Sequence, residues 1–154
     1  MQLTSAAIEY LRQKNIPFST IIHPTNLTTL DEIARFRGQT ISQIIRSLVF
    51  RYSDKDYVLV LAQAGNNVDW KTLRDTLGVR RITTATPDEV FRITGYITGS
   101  VSPFGLLQKI PVFVSRKILQ EEIVSTGSGI PQVALVLLVK HFFQALEDYQ
   151  LADF

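Results

Sequence analysis

IIRSLVFRY-SDKD-YVLVLAQA, residues 44–64, is the stretch that predicts the fold most strongly. Two runs rich in β-branched and aromatic residues, Ile44 to Tyr52 and Tyr57 to Ala64, predict strands. The residues between them, Ser53-Asp54-Lys55-Asp56, have turn chemistry, so the two strands are predicted to form a hairpin.

Short strands and amphipathic helices are predicted on both sides of this hairpin. The strands are Ile16–Ile22, Ile110–Val114 and Gln132–Leu138, and the helices are Ser5–Lys14, Leu30–Arg37, Val68–Leu77, Thr86–Thr94, Arg116–Glu122 and Lys140–Tyr149. The helix after Thr86 has the best-defined ends, because Pro87, Glu89 and Gly95 occupy typical start and stop positions. The regular βαβ spacing of a doubly wound sheet is missing. We therefore predict an α+β fold with a mixed, curved or barrel-like β-sheet surrounded by helices.

Length and composition predict one domain over residues 1–154. Of the 154 residues 45% are apolar and 19% charged, with no repeat or linker. No apolar run approaches the roughly 18 residues of a membrane span. The segment from Met1 to Lys14 lacks a signal-peptide pattern. We therefore expect a cytoplasmic protein with no membrane partner.

The residues that several classes of chemistry require are absent from this chain. The absence of cysteine excludes disulfide scaffolds, thiolate metal sites and cysteine nucleophiles. The histidines are His23 and His141, and neither belongs to a metal-binding motif or a serine triad. No metal and no cofactor are predicted. Any chemistry should depend on positioning, backbone donors and water.

Basic residues concentrate in two stretches, although the net charge is only +2. The first stretch has Arg35, Arg37, Arg46 and Arg51, and the second has Lys71, Arg74, Arg80 and Arg81; Arg35, Arg37 and the four residues of the second stretch are the predicted phosphate-binding residues. Together they predict a surface that binds the phosphates of a nucleic acid. The alternative is that they are solvated faces of ordinary elements.

Arg46 interrupts the apolar pattern of the first hairpin strand. Alternation places it on the same face as Ile44, Leu48 and Phe50. A guanidinium removed from water needs an anion. Arg46 is therefore interpreted as a cation aimed at a ligand, as an edge-strand arginine, or as an arginine in a structural pair with an aspartate.

Two small-residue segments are candidate ligand-binding loops. Residues 95–105 read GYITGSVSPFG, and residues 125–129 read STGSG. Loops of this kind can leave backbone N–H groups free for a ligand, and the alternative for both is an ordinary turn. Neither matches a nucleophile elbow, a phosphate loop or a dinucleotide fingerprint.

Four of these segments together resemble the YbaK-like aminoacyl-tRNA editing domains, relatives of the insertion domain of bacterial prolyl-tRNA synthetase. The resemblance is carried by QIIRSLVF at 43–50, V-D-x-K-x-L at 68–73, Leu77-Gly78 and, above all, G-Y-x-x-G-x-V-S-P-F-G at 95–105. Order and spacing match from Ser5 to Tyr149.

The resemblance implies a free-standing deacylase that hydrolyses the ester between a wrong amino acid and the 3′ end of a tRNA. It implies a substrate-binding G-x-x-x-P loop made of Gly99, Ser100, Val101, Ser102 and Pro103, and a second substrate-binding segment with Ser125 and Gly127. Arg46 stands where the family has a pocket lysine, and we predict a catalytic role for it. The implied partners are the 3′ end of an aminoacyl-tRNA and an aminoacyl-tRNA synthetase, and not DNA.

Three functions fit these residues. The first is hydrolysis of mischarged tRNA, since an activated ester needs only a placed water and donors for the developing oxyanion. The second is a degenerate binding module associated with tRNA or a synthetase, because Arg46 stays charged and cannot act as a base. The third is hydrolysis of small aminoacyl or peptidyl esters, favoured if the basic stretches do not share a face.

Overall fold

The predicted hairpin forms the centre of the larger of two sheets. A computed structural model of the protein describes residues 2–154, so that Met1 lies outside the described part. Strands β2 (Ile45–Arg51) and β3 (Tyr57–Gln63) pair antiparallel along their full length. The Tyr52 N–H donates to the carbonyl oxygen of Asp56 over 3.0 Å and closes the turn. The hairpin prediction is confirmed.

The remaining strands complete this sheet and build a second one. They are β1 (Ser19–Ile22), β4 (Thr83–Thr84), β5 (Val112–Ser115), β6 (Ile123–Gly127), β7 (Val133–Leu138) and β8 (Gln150–Ala152). The larger sheet has the order β4-β2-β3-β5-β8 and is mixed, because β5 pairs in parallel with both of its neighbours. The smaller sheet, β1-β7-β6, is antiparallel. A single parallel bridge between Ile44 and Ser125 joins the two sheets.

Five α-helices within residues 2–154 surround the sheets, which confirms the α+β class. They are α1 (Ala6–Gln13), α2 (Leu30–Arg37), α3 (Trp70–Leu77), α4 (Pro87–Thr94) and α5 (Val139–Leu146). Helix α4 has the predicted ends: the Thr86 hydroxyl accepts from the Glu89 N–H, the Glu89 side chain accepts from the Thr86 N–H, and Gly95 is left-handed.

Two predicted helices near the C-terminus are wrong in type or extent. The helix over Arg116–Glu122 is a 3-10 helix over Arg116–Gln120, since the chain must return at once to an extended conformation for β6. The helix predicted to reach Tyr149 ends at Leu146. Glu147, with φ at 62°, turns the chain toward β8.

The predicted small-residue loop at 125–129 is also wrong in its first half. Ser125 to Gly127 belong to β6 and pair with Val136 to Ala134 of β7. The turn occupies only the residues that follow. Small residues typical of a turn are thus held in a strand by a partner that lies farther along the chain.

Strand β3 is buried on both faces and separates two hydrophobic clusters. Leu59 and Leu61 belong to the main core between the sheets and the helices, whereas Val58 and Val60 pack on the side of α3. Within residues 2–154 no helix is long and apolar enough to cross a membrane.

Candidate functional site

A cavity of about 450 Å³ lies where the two sheets separate. On this side β2 has no strand partner between the bridge at Ile44 and the β4 pair at Phe50. Residues 44–49 all line the cavity for this reason. The rest of the wall includes the end of β6, Ile33 and Arg37 of α2, and residues 98–101, with further residues at 23, 84–85, 90, 130 and 132–133.

Arg46 lines this cavity with an exposed side chain. It shares its face of β2 with Leu48 and Phe50, as the alternation predicts, and these two residues pack in the smaller cluster. Within residues 2–154 its guanidinium makes no ion pair, so the structure gives it no aspartate partner. The guanidinium is therefore available to a ligand.

The predicted G-x-x-x-P loop, Gly99 to Pro103 (the glycine loop), contributes Gly99, Ser100 and Val101 to the cavity wall. The Ser100 N–H donates to the carbonyl oxygen of Ile97 over 3.0 Å. The N–H groups of Gly99, Val101 and Ser102 donate to no acceptor within the described residues. Gly99 has φ at 96°, a conformation that favours glycine. The loop thus leaves backbone donors free, two of them in residues that line the cavity.

Ser102 and Pro103 lie away from this cavity. Ser102 is buried, and its hydroxyl accepts from the Phe104 N–H over 3.3 Å. Pro103 lines a larger, more open cavity of about 730 Å³ on another side of the molecule, beside Tyr10 and the end of α5. These two residues support the loop rather than line the cavity.

Close backbone contacts hold the loop against the end of β6. A Cβ at Gly127 would stand 2.2 Å from the carbonyl oxygen of Val101, so only glycine fits there. The Gly129 N–H donates to the Ser100 carbonyl oxygen over 2.9 Å. The Tyr96 hydroxyl donates to the carbonyl oxygen of Phe104, and burial raises the pKa of Tyr96.

Ser125 is buried behind the cavity wall and does not line it. Its hydroxyl accepts from Nη1 of Arg37 over 2.9 Å and donates to Oε1 of Gln39 over 2.7 Å. Arg37, predicted to lie on an open phosphate-binding surface, lines the cavity half-buried, and burial lowers the pKa of its guanidinium.

The sequence did not point to His23, and it included Thr126 only as part of the 125–129 segment, although both line the cavity. Within residues 2–154 four buried side-chain atoms have no hydrogen-bond partner, namely His23 Nδ1, Arg37 Nε, Ser47 Oγ and Thr126 Oγ1. All four belong to cavity-lining residues. Unsatisfied buried groups are rare in native proteins. Only the position of His23 directly after an apolar strand could have pointed to it from the sequence.

The family is decided by a match along most of the chain. A family model for the aminoacyl-tRNA editing domain matches residues 24–144. The chain belongs to this family. The segments that carried the resemblance, residues 43–50, 68–73, 77–78 and 95–105, all lie inside the matched region of this editing domain.

Relatives of the editing domain include both separate proteins and parts of longer ones. A solved structure of a protein proposed as a trans-editing enzyme for prolyl tRNA synthetase matches with a TM-score of 0.86 at 27% identity, covering 99% of this chain and 98% of that one. The uncharacterized protein YwhH of Bacillus subtilis (strain 168) is 29% identical over 116 residues, which are 75% of this chain and 73% of YwhH. The proline–tRNA ligase of Thermosipho melanesiensis is 29% identical over 86 residues, 56% of this chain, and the match spans only 15% of that ligase.

The other basic residues of the editing domain lie outside the cavity wall. Arg35, Lys71, Arg74, Arg80 and Arg81 do not line it. Lys71 pairs with Asp75 at 3.5 Å on the exposed face of α3. Within residues 2–154 no group of three or more His, Asp or Glu side chains is placed to hold a metal ion.

Proposed function

We propose that this editing domain acts in trans as an aminoacyl-tRNA deacylase in the cytoplasm. One observation carries the proposal: the N–H groups of Gly99, Val101 and Ser102 have no acceptor among residues 2–154, and Gly99 and Val101 line the cavity. Such preorganised donors stabilise the oxyanion that develops when an ester carbonyl is attacked.

The reaction needs no enzyme nucleophile. Water adds to the carbonyl carbon, the intermediate expels the ribose oxygen, and that oxygen leaves with a proton from the water. The free N–H groups of the loop hold the oxyanion. Arg46 adds a charge-assisted hydrogen bond to a carbonyl or phosphate oxygen, because an arginine remains charged.

The substrate in this proposal is a tRNA that carries the wrong amino acid at its 3′ end. Gly99 to Pro103, with Ser125 and Gly127, form and support the segment that holds the amino acid and the terminal ribose. The likeness to prolyl-tRNA ligases supports a synthetase as an additional partner. Arg35, Lys71, Arg74, Arg80 and Arg81 hold the phosphates of the acceptor arm.

A panel of mischarged tRNAs, incubated with the purified protein in EDTA, tests the activity. At least one tRNA should lose its amino acid well above the spontaneous rate. Gly99→Ala is the matched variant: apart from its two chain neighbours, a Cβ there meets no atom of residues 2–154 within 4 Å, while φ at 96° disfavours any residue but glycine. We expect its activity to fall at least tenfold while its cooperative unfolding persists. Equal turnover by the variant would contradict the placement of the substrate at this loop.

A binding module without turnover is the second candidate. It is favoured by Arg46, which cannot accept a proton, and by a cavity wall within residues 2–154 that contains no carboxylate. Tight binding of mischarged tRNA without release of any amino acid in the same panel would establish this second function.

A further inference from the structure

Arg37 is the last residue of α2, and its guanidinium is hydrogen-bonded to the neighbouring strand β6. Its Nη1 donates to the hydroxyl of Ser125, which donates in turn to Gln39, over 2.9 and 2.7 Å. Ser125 has no exposed surface, so the guanidinium is anchored against the interior of β6. A positioned cation therefore stands in the cavity wall.

No carboxylate balances this cation. None of the ion pairs within residues 2–154 includes Arg37. The cavity wall holds His23, Arg37 and Arg46 but no Asp or Glu of the described chain. A guanidinium partly removed from water without a counter-charge is costly, although the C-terminal end of α2 offsets part of that cost.

The donors of Arg37 are also only partly used. Nη1 is taken by Ser125, whereas Nε is buried without an acceptor and Nη2 makes no hydrogen bond within residues 2–154. Because Nε has almost no exposed surface, Nη2 is the donor that can reach an oxygen of a carboxylate or phosphate in the cavity.

We propose that Arg37 binds an oxyanion, a phosphate or carboxylate group, inside the cavity. The source of the anion rests on the proposed function. In an aminoacyl-tRNA it is either the phosphodiester next to the terminal adenosine or the side chain of an acidic amino acid. In both cases Arg37 is a substrate-binding residue of the cavity and does not belong to the open basic surface.

Anion binding to the whole chain tests this directly. We would follow the arginine Nε–H resonances by NMR during titration with AMP, inorganic phosphate and glutarate at constant ionic strength, and measure affinities by calorimetry. The Arg37 resonance should shift saturably with at least one anion. Arg37→Gln should lower the affinity for that anion at least tenfold. Arg37→Lys, which keeps the charge but not the planar guanidinium, should have an intermediate affinity. Arg12→Gln removes the same charge from an exposed arginine of α1 and should bind like wild type.

Absence of a saturable Arg37 shift with all three anions would overturn the proposal, as would equal binding by wild type and Arg37→Gln. A preference for AMP and phosphate assigns the phosphodiester, and Arg37→Gln should then raise KM for all mischarged tRNAs alike. A preference for glutarate assigns the site to an acidic side chain. Arg37→Gln should then raise KM only for aspartyl- and glutamyl-tRNA. If the protein binds anions through Arg37 yet deacylates no tRNA, the deacylase proposal fails and the anion site stands.

Discussion

At the scale of single residues, Arg46 offers the most direct test of the proposed chemistry. It lines the cavity and has no ion-pair partner within residues 2–154. Charge-assisted hydrogen bonds are about twice as strong as neutral ones. Arg46→Ala should therefore lower kcat/KM on the best mischarged tRNA more than tenfold, or about 1.4 kcal/mol of transition-state stabilisation.

Arg46→Lys separates charge from shape at the same position. Lysine keeps the positive charge but replaces the planar fork by a compact ammonium. Activity should persist, with a shifted or broader preference among amino acids on the tRNA panel. If Arg46→Ala instead leaves both rate and tRNA affinity unchanged, the side chain belongs to the open surface.

Gly127 affects both the stability of the fold and the position of the loop that lines the cavity. Its missing Cβ allows the carbonyl oxygen of Val101 to approach, and an alanine would place a carbon 2.2 Å from that oxygen. Gly127→Ala should cost roughly 1–3 kcal/mol of unfolding free energy, as overpacking does. Chemical denaturation measures this cost. A variant as stable as wild type would show that the loop can move away from β6 freely.

At the scale of elements, Glu89 fastens α4 to the larger sheet. Its carboxylate accepts from the Thr86 N–H and from the Tyr57 hydroxyl, and Arg51 of β2 lies 3.5 Å away. These interactions, the Thr86 hydrogen bond first, lower the pKa of Glu89 from 4.5 to about 2. One side chain thus serves as helix cap and as a contact between elements.

This lowered pKa predicts a defined acid response. The stabilisation by ionised Glu89 is fully present above about 4.5 and is lost as the pH falls toward about 2. The difference in unfolding free energy between wild type and Glu89→Gln should shrink over that window, measured by urea denaturation at each pH. Glu122→Gln is the control, since the Glu122 side chain makes no ion pair within residues 2–154. A constant difference across the window would contradict the prediction.

Turn and capping residues predicted those elements whose bounds depend on residues adjacent in sequence. The β2–β3 hairpin and the ends of α4 follow from turn residues and capping residues adjacent in sequence. Strands β6 and β8 were missed because their pairing is distant. Ser125 to Gly127 become a strand only beside β7, and Gln150 to Ala152 only beside β5.

The site was predictable to the extent that it lies in motifs. Strand alternation singled out Arg46, and the resemblance identified the Gly99–Pro103 loop. Arg46 and the first three residues of that loop line the cavity. Neither alternation nor the resemblance could place Arg37 or His23 there, because the cavity exists only where two sheets separate. The burial of Ser125 behind the wall is likewise a product of tertiary packing.

At the scale of the whole molecule, the basic residues outside the cavity predict salt-dependent tRNA binding. Arg80 and Arg81 are exposed beyond α3. The side chains of the nearby Lys71–Asp75 ion pair are both exposed, so this pair contributes little to stability. Each neutralised phosphate contributes about 0.7 to 0.9 to the slope of log affinity against log salt. The double variant Arg80→Gln/Arg81→Gln should reduce the slope by about 1 to 2 in filter-binding or fluorescence measurements. A flat dependence in wild type would favour hydrolysis of small esters.

Strand β3, buried on both faces and bonded to β2 and β5, has a consequence for how the molecule opens. Its amide hydrogens can exchange with solvent only when the whole sheet comes apart, whereas those of the edge strands β4 and β8 exchange through local fraying. Deuterium should therefore enter β3 last, with protection close to the global unfolding free energy. The backbone that carries Arg46 is hydrogen-bonded along its length to this slowest-exchanging strand, so the cavity wall on β2 should remain intact through the fluctuations that release the sheet edges.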